Sequence, residues 1–275
     1  MTYNVDLYPA ILPIYTNDIS VGATVSSDLF KKWLKAAGIK TPSGVTVYTE
    51  RPASRAIGLS TLTKLVADHF VGEGTILQAG GYAKSAAIIA NSLPTNKRTR
   101  SGDLGELLAT EYLNSETSYV VPIKKLRWKS DRQMAMHGND VIGVDTKVKP
   151  VCVMKGECKS RAMFSKSTVD EAATSLDLHD GRPNPSTLAF ITKRLYEDKR
   201  DAQAKIFQDL QCEGAIAAKN VRHLIFALAG NDPSAFLAKI PKSKHSGIKR
   251  QGTAIIIDDH GAFVTSVYQT HGSKP

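Results

Sequence analysis

The stretch VCVMKGECKS, Val151 to Ser160, decides the fold, because it reads as a β-strand whose two faces differ in kind. A period of two sends Lys155, Glu157 and Lys159 to one face, with Cys152, Met154 and Cys158 on the other. A buried strand carries such charges only when they are paired or hold a metal ion, since an unpaired charge away from water is strongly disfavoured. Upstream, Gly138-Asn139-Asp140 opens a second strand-like segment, Asn139 to Asp145. If the two segments pair antiparallel, Asp140 and Glu157 converge, and Lys159 follows Glu157 on the same face.

The chain has 275 residues, 42% hydrophobic and 23% charged, a composition suited to one large globular domain or two smaller ones. Its 36 lysines and arginines against 26 aspartates and glutamates give a net charge of +10, which favours a polyanionic partner, nucleic acid first. Cys152, Cys158 and Cys212 are odd in number and lack metal-site spacing, so they indicate neither a disulfide framework nor a zinc ribbon and fit a reducing cytoplasm. The start, MTYNVDLYPA, has no basic segment leading into an apolar core, and no run approaches the roughly 18 apolar residues of a membrane span. A cytoplasmic protein away from membranes is expected.

Outward from the deciding strand, hydrophobic spacing predicts a short strand at Ala10 to Tyr15 and helices at Ser27 to Ala37, Ser60 to Phe70 and Lys84 to Ser92. Glycines 72, 74, 80 and 81 read as turns, without a complete phosphate-loop fingerprint. A basic loop, Lys97-Arg98-Thr99-Arg100, leads into a helix at SGDLGELLATEYL, residues 101–113. Strands follow at Ser118 to Ile123, Asn139 to Asp145 and Val151 to Lys159, then a helix at Ser167 to Leu178. A longer helix from about Ser186 to Leu210 and strands at Val221 to Leu228 and Thr253 to Asp258 complete the pattern.

The chemistry suits a hard divalent cation that keeps several waters, magnesium first and manganese as the alternative. Asp140 and Glu157 are the expected ligands, joined by the backbone carbonyl of Cys158, whose thiol is then a core filler and not catalytic. Lys159 either orients or deprotonates an attacking water or holds a phosphate oxygen. Glu106 either reaches the metal through water or closes a capping box with Asp103 at a helix start. Asp145 is a weaker alternative to Asp140, because its odd offset of five points it to the opposite face, and His137 reads as a polar loop residue. The bland alternative makes Glu157 and Lys159 an exposed pair on an edge strand and Asp140 a turn cap. Lys97, Arg98, Arg100, Arg161 and Lys166 flank the site as candidate phosphate contacts, and Lys239, Lys242, Lys244, Lys249 and Arg250 form a second basic stretch.

Together these residues resemble the PD-(D/E)xK nuclease superfamily, with Asp140 followed by Glu157-Cys158-Lys159 standing for its signature and Asn139 where its proline usually stands. More narrowly, residues 101–113, MHGNDVIGVD at 136–145 and KGECKSR at 155–161 resemble the HamA family, nuclease subunits of the Hachiman antiphage defence system. The likeness covers roughly residues 95–260. It implies an α/β (α+β) restriction-endonuclease-like core, a central mixed β-sheet flanked by helices, with an N-terminal α/β extension. The nuclease domain is then 83–275 and the accessory region, a candidate docking surface, 1–82. It further implies a magnesium-dependent DNA phosphodiesterase centred on Asp140, Glu157 and Lys159, with Glu106 as an upstream helix acid. A superfamily 2 helicase partner, HamB, is implied to hold it inactive until invasion. Two readings compete: a noncatalytic nucleic-acid-binding adaptor and an independent restriction or repair nuclease.

Overall fold

The computed structural model describes residues 29–37, 44–212 and 216–269. β5 (Val221–Ala229) and β6 (Lys249–Ile256) are rich in β-branched and aliphatic residues, and β5 is buried along almost its whole length. That pattern belongs to parallel strands covered on both faces, and β4 (Cys152–Arg161), β5, β6 and β2 (Val45–Glu50) do run parallel as neighbours. Antiparallel edge strands, β1 (Leu34–Ala36) beside β2 and β3 (Val141–Asp145) beside β4, complete a six-stranded mixed sheet in the order β1-β2-β6-β5-β4-β3. The architecture is therefore the α/β sheet flanked by helices that the sequence led us to expect.

Nine α-helices among the described residues clothe the sheet: α1 (Arg55–Phe70), α2 (Glu73–Gln78), α3 (Tyr82–Ser92), α4 (Lys97–Glu116), α5 (Lys166–Asp177), α6 (Pro185–Glu197), α7 (Asp201–Asp209), α8 (Ser234–Leu237) and α9 (His260–Gln269). On one face α1, α4 and α9 share a core with β4 and β5, including Leu62, Leu104, Leu108, Phe226 and Phe263. On the other, Val169, Ala172 and Leu176 of α5 cover Ile225 and Ala227. Gly105 lets α4 lie close to β4: a Cβ there would sit 3.5 Å from that of Ser160 and 3.9 Å from that of Cys158. β1 and β2, which precede residue 82, join this sheet through β6, and the α1 core residues pack into the same cluster as those of α4 and α9. No helix among the described residues is long and apolar enough to cross a membrane.

Several expectations are corrected. Within 27–37, a helical turn at Leu29–Trp33 gives way to β1, because Leu34 to Ala36 pair with Tyr48 to Glu50 of β2, a strand the sequence reading missed. The segment at 118–123 contributes a single bridge, Val120 to Val144, and no strand, since Asn114 Oδ1 takes the Val121 amide at 2.8 Å. The basic run at 97–100 is the first turn of α4, not a loop, because the Asn96 side chain accepts from the amides of Arg98 and Thr99. The long helix at 186–210 breaks into α6 and α7 at Lys199, whose φ of 57° no helix tolerates. Between the glycine turns lies α2, and α9 went unread. The expected strand at 10–15 falls outside the described residues.

Candidate active site

β3 pairs antiparallel with β4, Val141 opposite Gly156, so Asp140 at the mouth of β3 comes alongside Glu157 and Cys158. Its Oδ2 accepts the Cys158 amide at 2.8 Å, with no donor to Oδ1 among the described residues. The loop before it is pinned by Asn139, which is buried, accepts the Asn184 amide at 2.7 Å and gives its own amide to Thr187 Oγ1 at 3.1 Å. Gly138 has φ 96°, and a Cβ there would meet Thr187 Oγ1 at 2.2 Å. Asn139 thus does with two hydrogen bonds what a rigid proline would do with its ring.

Lys155, Glu157 and Lys159 share a face of β4, as the alternation requires, but their roles differ. Lys155 is fully buried and gives its ammonium to the carbonyls of Leu176 at 3.0 Å and Leu178 at 2.7 Å, where it closes the C-terminal end of α5. Burial pushes its pKa down to about 8. Lys159 lies between two carboxylates, 3.0 Å from Glu157 and 2.8 Å from the exposed Glu171 of α5. Burial works against its charge, yet Glu157 and Glu171 outweigh it and hold the ammonium above its ordinary range. An ammonium so held cannot accept a proton.

Glu106 projects from α4 toward the same place, well inside the helix and ten residues past its Asn96 cap. That position rules out the capping-box reading. Its partner is Lys125, whose Nζ stands 2.9 Å from Glu106 Oε2 and 2.9 Å from the Asn139 carbonyl. The Glu106 contact is off the hydrogen-bond direction, so Oε2 is a buried acceptor lacking a donor. Burial raises the pKa of both Glu106 and Glu157, the nearby Asp140 raises both further, and Lys125 and Lys159 only partly oppose this. Carboxyls held up by burial and by a neighbouring carboxylate mark a site short of positive charge.

Hard oxygen donors and the orphaned Glu106 Oε2 suit a magnesium-like ion. Among the described residues, however, no three acidic, histidine or cysteine side chains converge on one point, so any such ion takes two carboxylates and fills its shell with carbonyl and water. The Cys158 side chain packs against the core, and burial followed by Asp140 raises its thiol well above the ordinary range, which agrees with an inert filler. Asp145 turns to Ser118 and the Lys147 amide, and His137 is exposed.

Sequence reasoning missed Lys125, Glu171 and the Lys129–Asp103 pair at 2.7 Å. The run KKLRWK, 124–129, showed the cations, but nothing in its spacing showed their partners. Of the basic candidates, Lys97, Arg98, Arg100 and Arg161 line one cleft, whereas Lys166 is an exposed partner of Asp170. In the second basic stretch, Arg250 is buried against Asp177 and His223, and Lys239, Lys242, Lys244 and Lys249 are exposed.

The chain is 27% identical over 193 residues to the Hachiman protein HamA of Bacillus cereus, a match covering 70% of this chain and 68% of that protein. The HamA family model matches residues 29–270, a span that holds every residue of the site just described. The chain belongs to the HamA family.

Proposed function

We propose that this protein is a metal-dependent DNA nuclease and the effector of a Hachiman antiphage defence system. The observation that carries the reading is Asp140 brought alongside Glu157 by the pairing of β3 with β4, with Glu106 near enough to feel Asp140 and both glutamates raised in pKa, beside a charged Lys159. Asp140, Glu157 and the Cys158 carbonyl are the residues to hold magnesium or manganese, with Glu106 acting through water. Such an ion, when bound, supplies Lewis acidity toward a phosphoryl oxygen and a water made nucleophilic at neutral pH.

The chain's own groups account for the rest. Lys159, held charged by Glu157 and Glu171, orients the attacking water or stabilises negative charge growing on the phosphate, and the role of base falls elsewhere. Lys125 ties Glu106 to the loop that carries Asp140, so the acids keep their spacing before any ion arrives. The net charge of +10 favours the DNA backbone as substrate. This core is that of the PD-(D/E)xK superfamily, and a superfamily 2 helicase, HamB, is the partner that restrains it until DNA invasion. Unrestrained cleavage would harm the host, and a misaligned or occluded site is the simplest restraint.

One observation favours a second reading, binding without cleavage: Lys125 already neutralises part of the Glu106 charge. Plasmid cleavage by the purified chain separates the two, run with magnesium and with chelator, alone and beside the helicase. Magnesium-dependent cleavage lost in both Glu157→Ala and Lys159→Ala, with folding intact, supports the nuclease. Salt-sensitive DNA binding without cleavage, even with the helicase present, supports the adaptor and defeats the nuclease.

A further inference from the structure

Four cations converge on one cleft, and among the described residues none of them is ion-paired to a carboxylate. Lys97, Arg98 and Arg100 enter from the first turn of α4 and Arg161 from the last residue of β4, around a cavity of about 470 Å³. None of the four has an ion pair within 4.0 Å to a described carboxylate. Two are fixed without being neutralised: Arg100 Nε donates to the Pro94 carbonyl at 2.7 Å under a guanidinium stacked on Tyr268, and Arg161 Nη1 donates to the Ser160 carbonyl at 3.0 Å.

The cleft also has a built floor. Ser160, 4% exposed, and His260, 6% exposed, are joined at 2.9 Å, and Ser101 gives its hydroxyl to Ser160 at 2.8 Å. These groups sit at the carboxyl edge of the parallel strands, where β4 ends and the chain turns from β6 into α9, the edge at which open α/β sheets bind ligands. Gly230, just past β5, allows that convergence: a Cβ there would lie 2.5 Å from the Ala162 carbonyl oxygen and 3.1 Å from the His260 Cβ. Glu171 feels both Arg98 and Arg161 but is bonded to Lys159, so the cleft adjoins the proposed active site on its Lys159 side.

We propose that this cleft binds a phosphate monoester, the group carried by a DNA end or by a free nucleotide. A backbone diester carries one negative charge, whereas a monoester carries close to two near neutral pH and presents three acceptor oxygens. Four cations without an ion pair among the described residues, three of them forked guanidiniums, match the second charge and the third oxygen. The closed floor of buried Ser160 and His260 suits a group that terminates there and not a strand passing through. The proposal deepens the nuclease reading and rests on it for its consequence, a strand end seated next to the reacting bond, although the binding itself needs no cleavage.

The test is fluorescence anisotropy of the full chain in chelator, with short single-stranded oligonucleotides bearing a 5′-phosphate, a 3′-phosphate or hydroxyls at both ends. A deoxynucleoside monophosphate serves as competitor. One phosphorylated end should bind about tenfold tighter or better than the hydroxyl form, a gain of about 1.4 kcal/mol. The preference should vanish in the Arg98→Ala, Arg161→Ala double variant and survive in Lys193→Ala, which removes an exposed lysine of α6. Competition by the monophosphate identifies a free nucleotide as a ligand, and end preference without competition identifies the DNA end. Equal binding of all three oligonucleotides with no competition overturns the proposal, as does a preference that Lys193→Ala erases equally. Because chelator excludes cleavage from the readout, a failed nuclease assay and a failed end preference remain separate results.

Discussion

The backbone amide of Cys158 donates to Oδ2 of Asp140 at 2.8 Å, across the pairing of β3 with β4. Asparagine presents its carbonyl oxygen to the same amide, so Asp140→Asn keeps this bond and removes only the charge. We expect a melting temperature near that of the parent and cleavage reduced by about 100-fold or more, the scale of losing a group that organises transition-state charge. Thermal unfolding and plasmid cleavage on the same preparation check it. Full cleavage by Asp140→Asn would remove the acid from the mechanism.

Lys125 is the first charge to oppose burial at Glu106, whose pKa already stands at about 8, so replacing it makes the buried acid either take up a proton or stay charged without a counter-ion. Lys125→Met is expected to destabilise by about 3 kcal/mol, the low end for breaking a buried pair, because both side chains keep some solvent. Adding Glu106→Gln should recover most of that loss, which a double-mutant cycle in denaturant measures directly. Strictly additive single effects would mean that the pair has no coupling.

Gly58 faces the indole of Trp33, and a Cβ there would come within 2.5 Å of Nε1. The ring cannot yield easily, since Nε1 donates to Glu50 at 2.7 Å and the indole stacks on Phe263 with centroids 5.5 Å apart. Alanine gains about 1 kcal/mol in helix propensity, while overpacking costs about 1–3 kcal/mol. We expect the clash to win and Gly58→Ala to lower stability in urea unfolding, the reverse of its effect in an open helix.

His223 lies fully buried in β5, donating from Nε2 to the Gly181 carbonyl at 2.7 Å and accepting from Arg250 Nε at Nδ1, 3.1 Å away. Burial first, then Arg250 and Lys155, lower its pKa from 6.5 to about 4. The folded state therefore holds fewer protons than the unfolded one, and the stabilisation from neutral His223 is present above pH 6.5 and lost as pH falls toward about 4. The loss amounts to at most about 3 kcal/mol. In His223→Gln, where an amide can make both bonds without titrating, unfolding free energy should flatten over that window. An unchanged slope would assign the acid sensitivity to other groups.

What the sequence made legible follows from where its signals live. The alternation of VCVMKGECKS is a property of one strand, so the placement of Glu157 and Lys159 on one face could be read before any partner was known. Lys155 shares that face, yet its burial beneath the end of α5 depends on a helix more than ten residues away. β1 was misread because Lys31, Lys32, Leu34, Lys35 and Ala36 are good helix formers, and only pairing with β2 overrides that preference. β2 itself, with Val45, Thr46, Val47 and Thr49, carried a β-branched signal that could have been used. The basic runs that line the cleft were visible as charge, while the link from Ser160 to His260 spans 100 residues and exists only in the fold.

The central claim is spatial: Asp140 and Glu157 share one divalent cation. Crystals soaked in manganese and measured at the manganese absorption edge test it most directly. The account predicts one anomalous peak between the two carboxyl groups, near the Cys158 carbonyl, and its disappearance in Glu157→Gln. A peak elsewhere with none between these acids, or one that survives unchanged in Glu157→Gln, would contradict it.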